Sequence, residues 1–147
     1  MSSENTTIIN AKGLILGRLA SNVAKLLLQG EAVIILNAEK AAISGKKQHI
    51  VEDAKKFLEV GHPRKGPYHH RRPDRIVSRT VRGMLPRQKP KGQQAYKRLR
   101  VYLGSPVEFE NKNVQTIIEA SVNKLKSPYI TVSELSKEIG GWIPEVE

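Results

Sequence analysis

The pentapeptide Ala-Val-Ile-Ile-Leu at 32–36 restricts the fold more than any other stretch of the chain. Five consecutive apolar residues with a β-branched centre match a short strand buried on both faces, the situation of an interior strand in a parallel sheet. Its neighbours agree. "TTIIN" at 6–10 predicts a first strand, and "GRLASNVAKLLLQG" at 17–30 places Leu19, Val23, Leu26 and Leu27 at helical spacing. Gly30 is positioned to end that helix in a left-handed cap. Beyond the pentapeptide, "SGKKQHIVEDAKKFLEVG" at 44–61 predicts a second helix, with Ile50, Ala54, Phe57 and Leu58 on one face and Gly61 as its stop. Strand, helix, strand, helix predicts an α/β fold with right-handed crossovers. A length of 147 residues fits one domain, 1–147. A chain of this size buries roughly 68–70% of the surface its unfolded form exposes, enough for a core without staples.

After Gly61 the texture changes. Pro63, Gly66, Pro67 and Pro73 predict irregular backbone, followed by a short helix capped by Asp74 and closed by Pro86. On a helical wheel Arg75, Arg79 and Arg82 fall within about 60° of one another, while Val77, Val81, Met84 and Leu85 lie on the far side. "QKPKG" predicts a loop, "QQAYKRL" a helical turn, and "LRVYLG" a strand alternating Leu99, Val101 and Leu103 against Arg100 and Tyr102. Farther on, "VQTIIEASVNKL" fits either helix or strand. "YITV" predicts a strand, and "SELSKEIGG" a short helix capped by Ser133.

Charge is distributed as unevenly as structure. The formal net charge is +11. Residues 61–100 hold thirteen lysines and arginines against one acid, Asp74, whereas the rest of the chain holds twelve basic and thirteen acidic residues. One internal segment therefore carries the whole excess, and apolar residues punctuate it, so it is expected to fold onto the domain rather than trail as an arm. Arginine outnumbers lysine there, and its planar fork suits phosphate oxygens. Tyr68, His69 and His70 add rings able to stack on bases or lie against ribose. Basic residues interleaved with rings predict a nucleic-acid partner.

Other chemistries find less support. Without cysteine there is neither a disulfide framework nor a thiolate zinc site. His69 and His70 are adjacent, so their side chains diverge, and no third ligand is spaced to complete a metal site. No apolar run approaches the ~18 residues of a membrane helix, and "MSSENTTIIN" lacks the pattern of a secretory leader. Neither a nucleophile–histidine–acid arrangement nor a phosphate loop is present, and no cofactor is expected. Lys46 and Lys47 precede the second helix, where they either project into solvent or join the helix N-terminus in holding an anion. A duplex-DNA-compacting protein and a small enzyme for phosphorylated substrates remain as rivals to an RNA-binding protein.

Three stretches carry a resemblance: "GRLAS" (17–21), "NAEKAAISGKK" (37–47) and "VRGMLPRQKPKGQQAYKRLRVYLGSP" (81–106). Together they resemble the universal thirteenth protein family of the large ribosomal subunit, over most of the chain from about Ile8 to Trp142. "GHPRKGPYHHRRPDRIVSRTVRGMLP" and "YITVSELSKEIGGW" are similar to its archaeal branch. "GSPVEFE" replaces the histidine-rich turn of the bacterial pattern, whose contacts are not carried over. The resemblance implies a three-layer α/β/α fold around a four-stranded, mainly parallel sheet, with 61–100 as a basic loop-and-helix excursion. It also implies binding of large-subunit rRNA beside other ribosomal proteins in the cytoplasmic ribosome, a role in assembly, and no catalysis. The family's basic stretch maps onto Arg64, Lys65, Arg71, Arg72, Arg75, Arg79, Arg82, Arg87, Lys89, Lys91, Lys97 and Arg98. With Lys46, Lys47, Tyr68, His69 and His70 these form the expected RNA-binding set.

Overall fold

The computed structural model describes residues 5–141. The first four of the opening residues read for a leader, and Trp142 at the end of the resemblance, lie outside the described residues. In chain order the elements are β1 (Thr6–Asn10), α1 (Leu16–Leu28), β2 (Ala32–Leu36), β3 (Ala42–Ser44), α2 (Lys47–Glu59), α3 (Pro73–Gly83), α4 (Pro90–Lys97), β4 (Leu99–Val101), β5 (Val114–Gln115), β6 (Tyr129–Thr131) and α5 (Val132–Glu138). Single turns of 3-10 helix interrupt the connections.

The main sheet has four strands in the order β4-β2-β1-β5, and all three pairings are parallel. β2 is interior, with Ile34 opposite Ile8 on one side and Arg100 on the other, which is why its sequence is apolar without alternation. The two faces still differ. Ile9, Val33 and Ile35 point into the principal core, where they meet Leu19, Val23 and Leu27 of α1, Val77 and Val81 of α3, and Ala95 of α4. Ile8 and Leu36 point the other way and are covered by Phe109, with Tyr102 packed alongside. The layer on that second face is thus thin. Its core contact comes from the 3-10 turn Val107–Phe109.

A second, smaller unit sits beside this sheet. β3 and β6 form an antiparallel ladder, and α2 and α5 pack on it through Val51, Ile130, Leu135 and Ile139. α2 contributes to this secondary cluster, so the platform beneath the basic segment is built by α1 with the sheet. The segment 61–100 is no appendage, because Val77, Val81, Leu85, Ala95 and Leu99 are all buried in the principal core.

Local expectations failed at several places for identifiable reasons. α3 begins two residues earlier than expected. Arg72 is its N-cap, and Pro73 occupies the first turn, where a missing N–H costs nothing. Asp74 lies in that first turn and complements the helix dipole instead of capping it. Thr131, not Ser133, caps α5, its hydroxyl accepting from the Glu134 N–H at 3.2 Å. Met84 follows α3 with its side chain exposed, since the backbone turns there and Leu85 takes the inward position. "VQTIIEASVNKL" is a strand only at its first two residues and continues as two 3-10 turns.

Candidate nucleic-acid interface

α3 is the spine of the candidate site. Val77 and Val81 are fully buried against α1 and the sheet, which fixes the helix's rotation and turns Arg75, Arg79 and Arg82 outward. At its N-terminal side the stretch expected to be irregular is a tight turn. His62 and Gly66 exchange backbone hydrogen bonds of 2.9 and 2.8 Å, and the Tyr68 hydroxyl donates to the Pro63 carbonyl at 3.1 Å. Gly61 is required there. It has φ of +108°, and a Cβ would stand 2.7 Å from the Gly66 carbonyl oxygen. At the other side α4 is docked through Gly92, whose missing side chain lets the helix lie directly on the Pro86 carbonyl.

Three recesses follow one another along α3. The first, about 250 Å³, lies between the turn and the helix and is bordered by Tyr68, His70, Arg75 and Arg82. The second, about 550 Å³, shares Arg75 with the first and extends to Lys97 and Arg100 at the open edge of β4. The third, about 560 Å³, shares Arg82 and reaches Arg87 and Lys89. Arg75 and Arg82 therefore join the three into one cationic groove. Apart from Arg79, whose guanidinium is engaged by His69 and Phe57, six cations line it, Arg75, Arg82, Arg87, Lys89, Lys97 and Arg100, and among the described residues none of them is in an ion pair.

Several of the expected residues are committed to the protein itself. Arg79 lies over the Phe57 ring at 4.7 Å and bonds His69 Nδ1 at 2.6 Å, while the His69 ring stacks on the same Phe57 at 3.9 Å. Phe57, expected in the core, is instead a half-exposed platform that ties α2 to the turn. Arg71 donates to the Ile139 carbonyl at 3.2 Å, at the C-terminal end of α5, and its own carbonyl accepts from the buried Ser136 hydroxyl at 2.6 Å. Arg98 is half-buried and donates to the Leu27 carbonyl in the last turn of α1, a favourable place for a cation. Lys47 pairs with Glu138 at 3.5 Å, and Arg72 with Asp74 at 3.4 Å. Arg64, Lys65, Lys91 and Lys46 are exposed but do not line the groove.

The His69–Arg79 contact has a direction in pH. A guanidinium can only donate, so Nδ1 must accept and the imidazole must be neutral. Burial lowers the His69 pKa from its ordinary 6.5, and the charges of Arg79 and His70 lower it further. The stabilisation from this contact is therefore fully present above 6.5 and is lost as pH falls through the depressed folded value. Thermal melting of the wild type and His69→Gln across about pH 5 to 8 checks the sign. The variant is expected to lose the part of the acid-side slope that His69 contributes; identical slopes would contradict it.

Sequence reasoning left out Arg100, Ser78 and Tyr96. Arg100 reads as a strand residue, but β4 is an edge strand of only three residues and this position faces the groove. Ser78 and Tyr96, whose hydroxyls are 2.9 Å apart, come together from α3 and α4 and carry no local signal.

With this geometry in place, the comparisons with known proteins fall into line. Residues 4–108 match the family described as ribosomal protein L13. The chain is 47% identical over 135 residues to the large ribosomal subunit protein uL13 of Methanococcoides burtonii, covering 91% of this chain and 97% of that one. Against the protein of the same name from Methanocaldococcus jannaschii the identity is 47%, covering 91% and 97%. For that of Saccharolobus solfataricus it is 46%, covering 93% and 94%. These are structural components of the large ribosomal subunit and not enzymes. From its match over most of its length, the chain belongs to the ribosomal protein L13 family.

Proposed function

We propose that this chain, as a single domain whose basic segment spans 61–100, binds large-subunit rRNA through the α3 groove and supports assembly of the large subunit among other ribosomal proteins in the cytoplasm. The observation that carries the reading is the cationic groove itself: six cations joined along one helix, none in an ion pair among the described residues. A polyanion supplies the missing countercharge, and arginine forks suit phosphate oxygens. Contacts of this kind position the protein more than they read bases. Specificity then comes from the folded shape of the RNA, whose grooves and unpaired segments differ from those of B-DNA.

The test is a competition. Purified chain mixed with large-subunit rRNA and an equal mass of duplex DNA is expected to sediment with the rRNA. Transfer of the chain to the DNA would point to a general duplex binder and overturn the reading.

A further inference from the structure

The smallest of the three recesses differs in kind from the other two. At about 250 Å³ it lies below the roughly 300–1,000 Å³ of sites for drug-sized ligands, so a nucleic-acid helix cannot enter it. Its rim is the Tyr68 ring, 74% exposed yet held in place by the hydroxyl's bond to the Pro63 carbonyl. Ser78 and Tyr96, whose hydroxyls are 2.9 Å apart, also line it. One O–H is consumed between them, which leaves the other free to donate and lone pairs free to accept. Its walls include Arg75 and Arg82, neither in an ion pair among the described residues, whereas Arg79 is occupied by His69 and Phe57.

A flat ring, a hydroxyl pair and two uncommitted guanidinium groups are the complement of one unstacked nucleotide: a π-face, a base edge and flanking phosphates. We infer that the recess takes a single nucleotide extruded from large-subunit rRNA. The base stacks on Tyr68, its edge meets the Ser78–Tyr96 hydroxyl pair, and the adjoining phosphates lie on Arg75 and Arg82. This rests on the rRNA-binding reading above and adds a point at which the protein fixes one nucleotide out of its stack.

The probe is transcribed large-subunit rRNA of an archaeal relative, with affinity and nucleotide-resolved 2′-hydroxyl acylation measured at constant salt. Wild type, Tyr68→Phe and Tyr68→Ala are compared. Tyr68→Ala is expected to bind about 5- to 150-fold more weakly, the usual loss for one base–ring stack. Tyr68→Phe, which keeps the ring and loses only the bond to the Pro63 carbonyl, is expected to lie closer to wild type than to Tyr68→Ala. One nucleotide should gain acylation when wild type or Tyr68→Phe binds, and fail to gain it with Tyr68→Ala. Because the ring is exposed, unchanged melting of both variants is expected and verifies that they fold. Equal binding and equal acylation profiles for Tyr68→Ala and wild type would overturn the recess while leaving rRNA binding intact. So would an equal loss in Tyr68→Phe and Tyr68→Ala. If wild type itself does not bind the transcript, the rRNA reading falls and the recess with it.

Discussion

Replacing Arg75 and Arg82 together with glutamate is expected to weaken binding of large-subunit rRNA by roughly 10²–10⁴-fold, with little change in thermal stability. A hydrogen bond to a charged group contributes about 1.5–3 kcal/mol, so losing two removes about 3–6 kcal/mol, at tenfold in affinity per 1.4 kcal/mol. These two positions suit the test because neither guanidinium donates to a protein acceptor or pairs with an acid among the described residues, and each belongs to two adjoining recesses. Arg79, which the helical wheel places with them, does not suit it. Its guanidinium holds the turn through His69 and Phe57, so a charge reversal there would confound binding with local unfolding. Equilibrium titration by fluorescence anisotropy, beside a melting curve, separates the two effects. Undiminished rRNA binding by Arg75→Glu/Arg82→Glu would show that the groove is not the contact surface.

The contrast between Arg75 and Arg79 shows how far the sequence could be read. Period and composition located α1, β1 and β2 almost to the residue, because Leu19, Val23 and Leu27 and the Ala32–Leu36 run have one consistent solution in a parallel sheet. The cationic face of α3 was legible for the same reason. Val77 and Val81 can be buried only if Arg75, Arg79 and Arg82 point away. What a linear pattern does not contain is which cation meets which distant carbonyl. Arg98 and Leu27 are 71 positions apart, and Arg71 and Ile139 are 68 apart, so the use of these arginines as ties between elements emerges only from the packing. Phe57 misled for a related reason. Its spacing fits the apolar face of α2, but α2 packs on a narrow two-stranded ladder that covers less of it than a broad sheet would, and the ring at its edge serves His69 and Arg79 instead. The turn at 61–70 was hidden because Pro and Gly announce the absence of helix and strand without saying which tight geometry replaces them.

Neutralisation of the α3 groove by polynucleotide phosphates predicts a steep response to ionic strength. Six groove cations, with Arg64, Lys65 and Lys91 exposed on the same segment, correspond to about six to ten phosphate contacts. Counterions released from those phosphates oppose binding as salt is added, and the affinity is expected to fall by roughly 10³–10⁵ between 50 and 200 mM. The decisive measurement is the equilibrium constant for large-subunit rRNA across that range, plotted logarithmically against salt. A straight line with a slope of about −5 or steeper is the predicted result. A nearly flat line would mean that few phosphates are engaged, and would contradict the assignment of the groove to RNA.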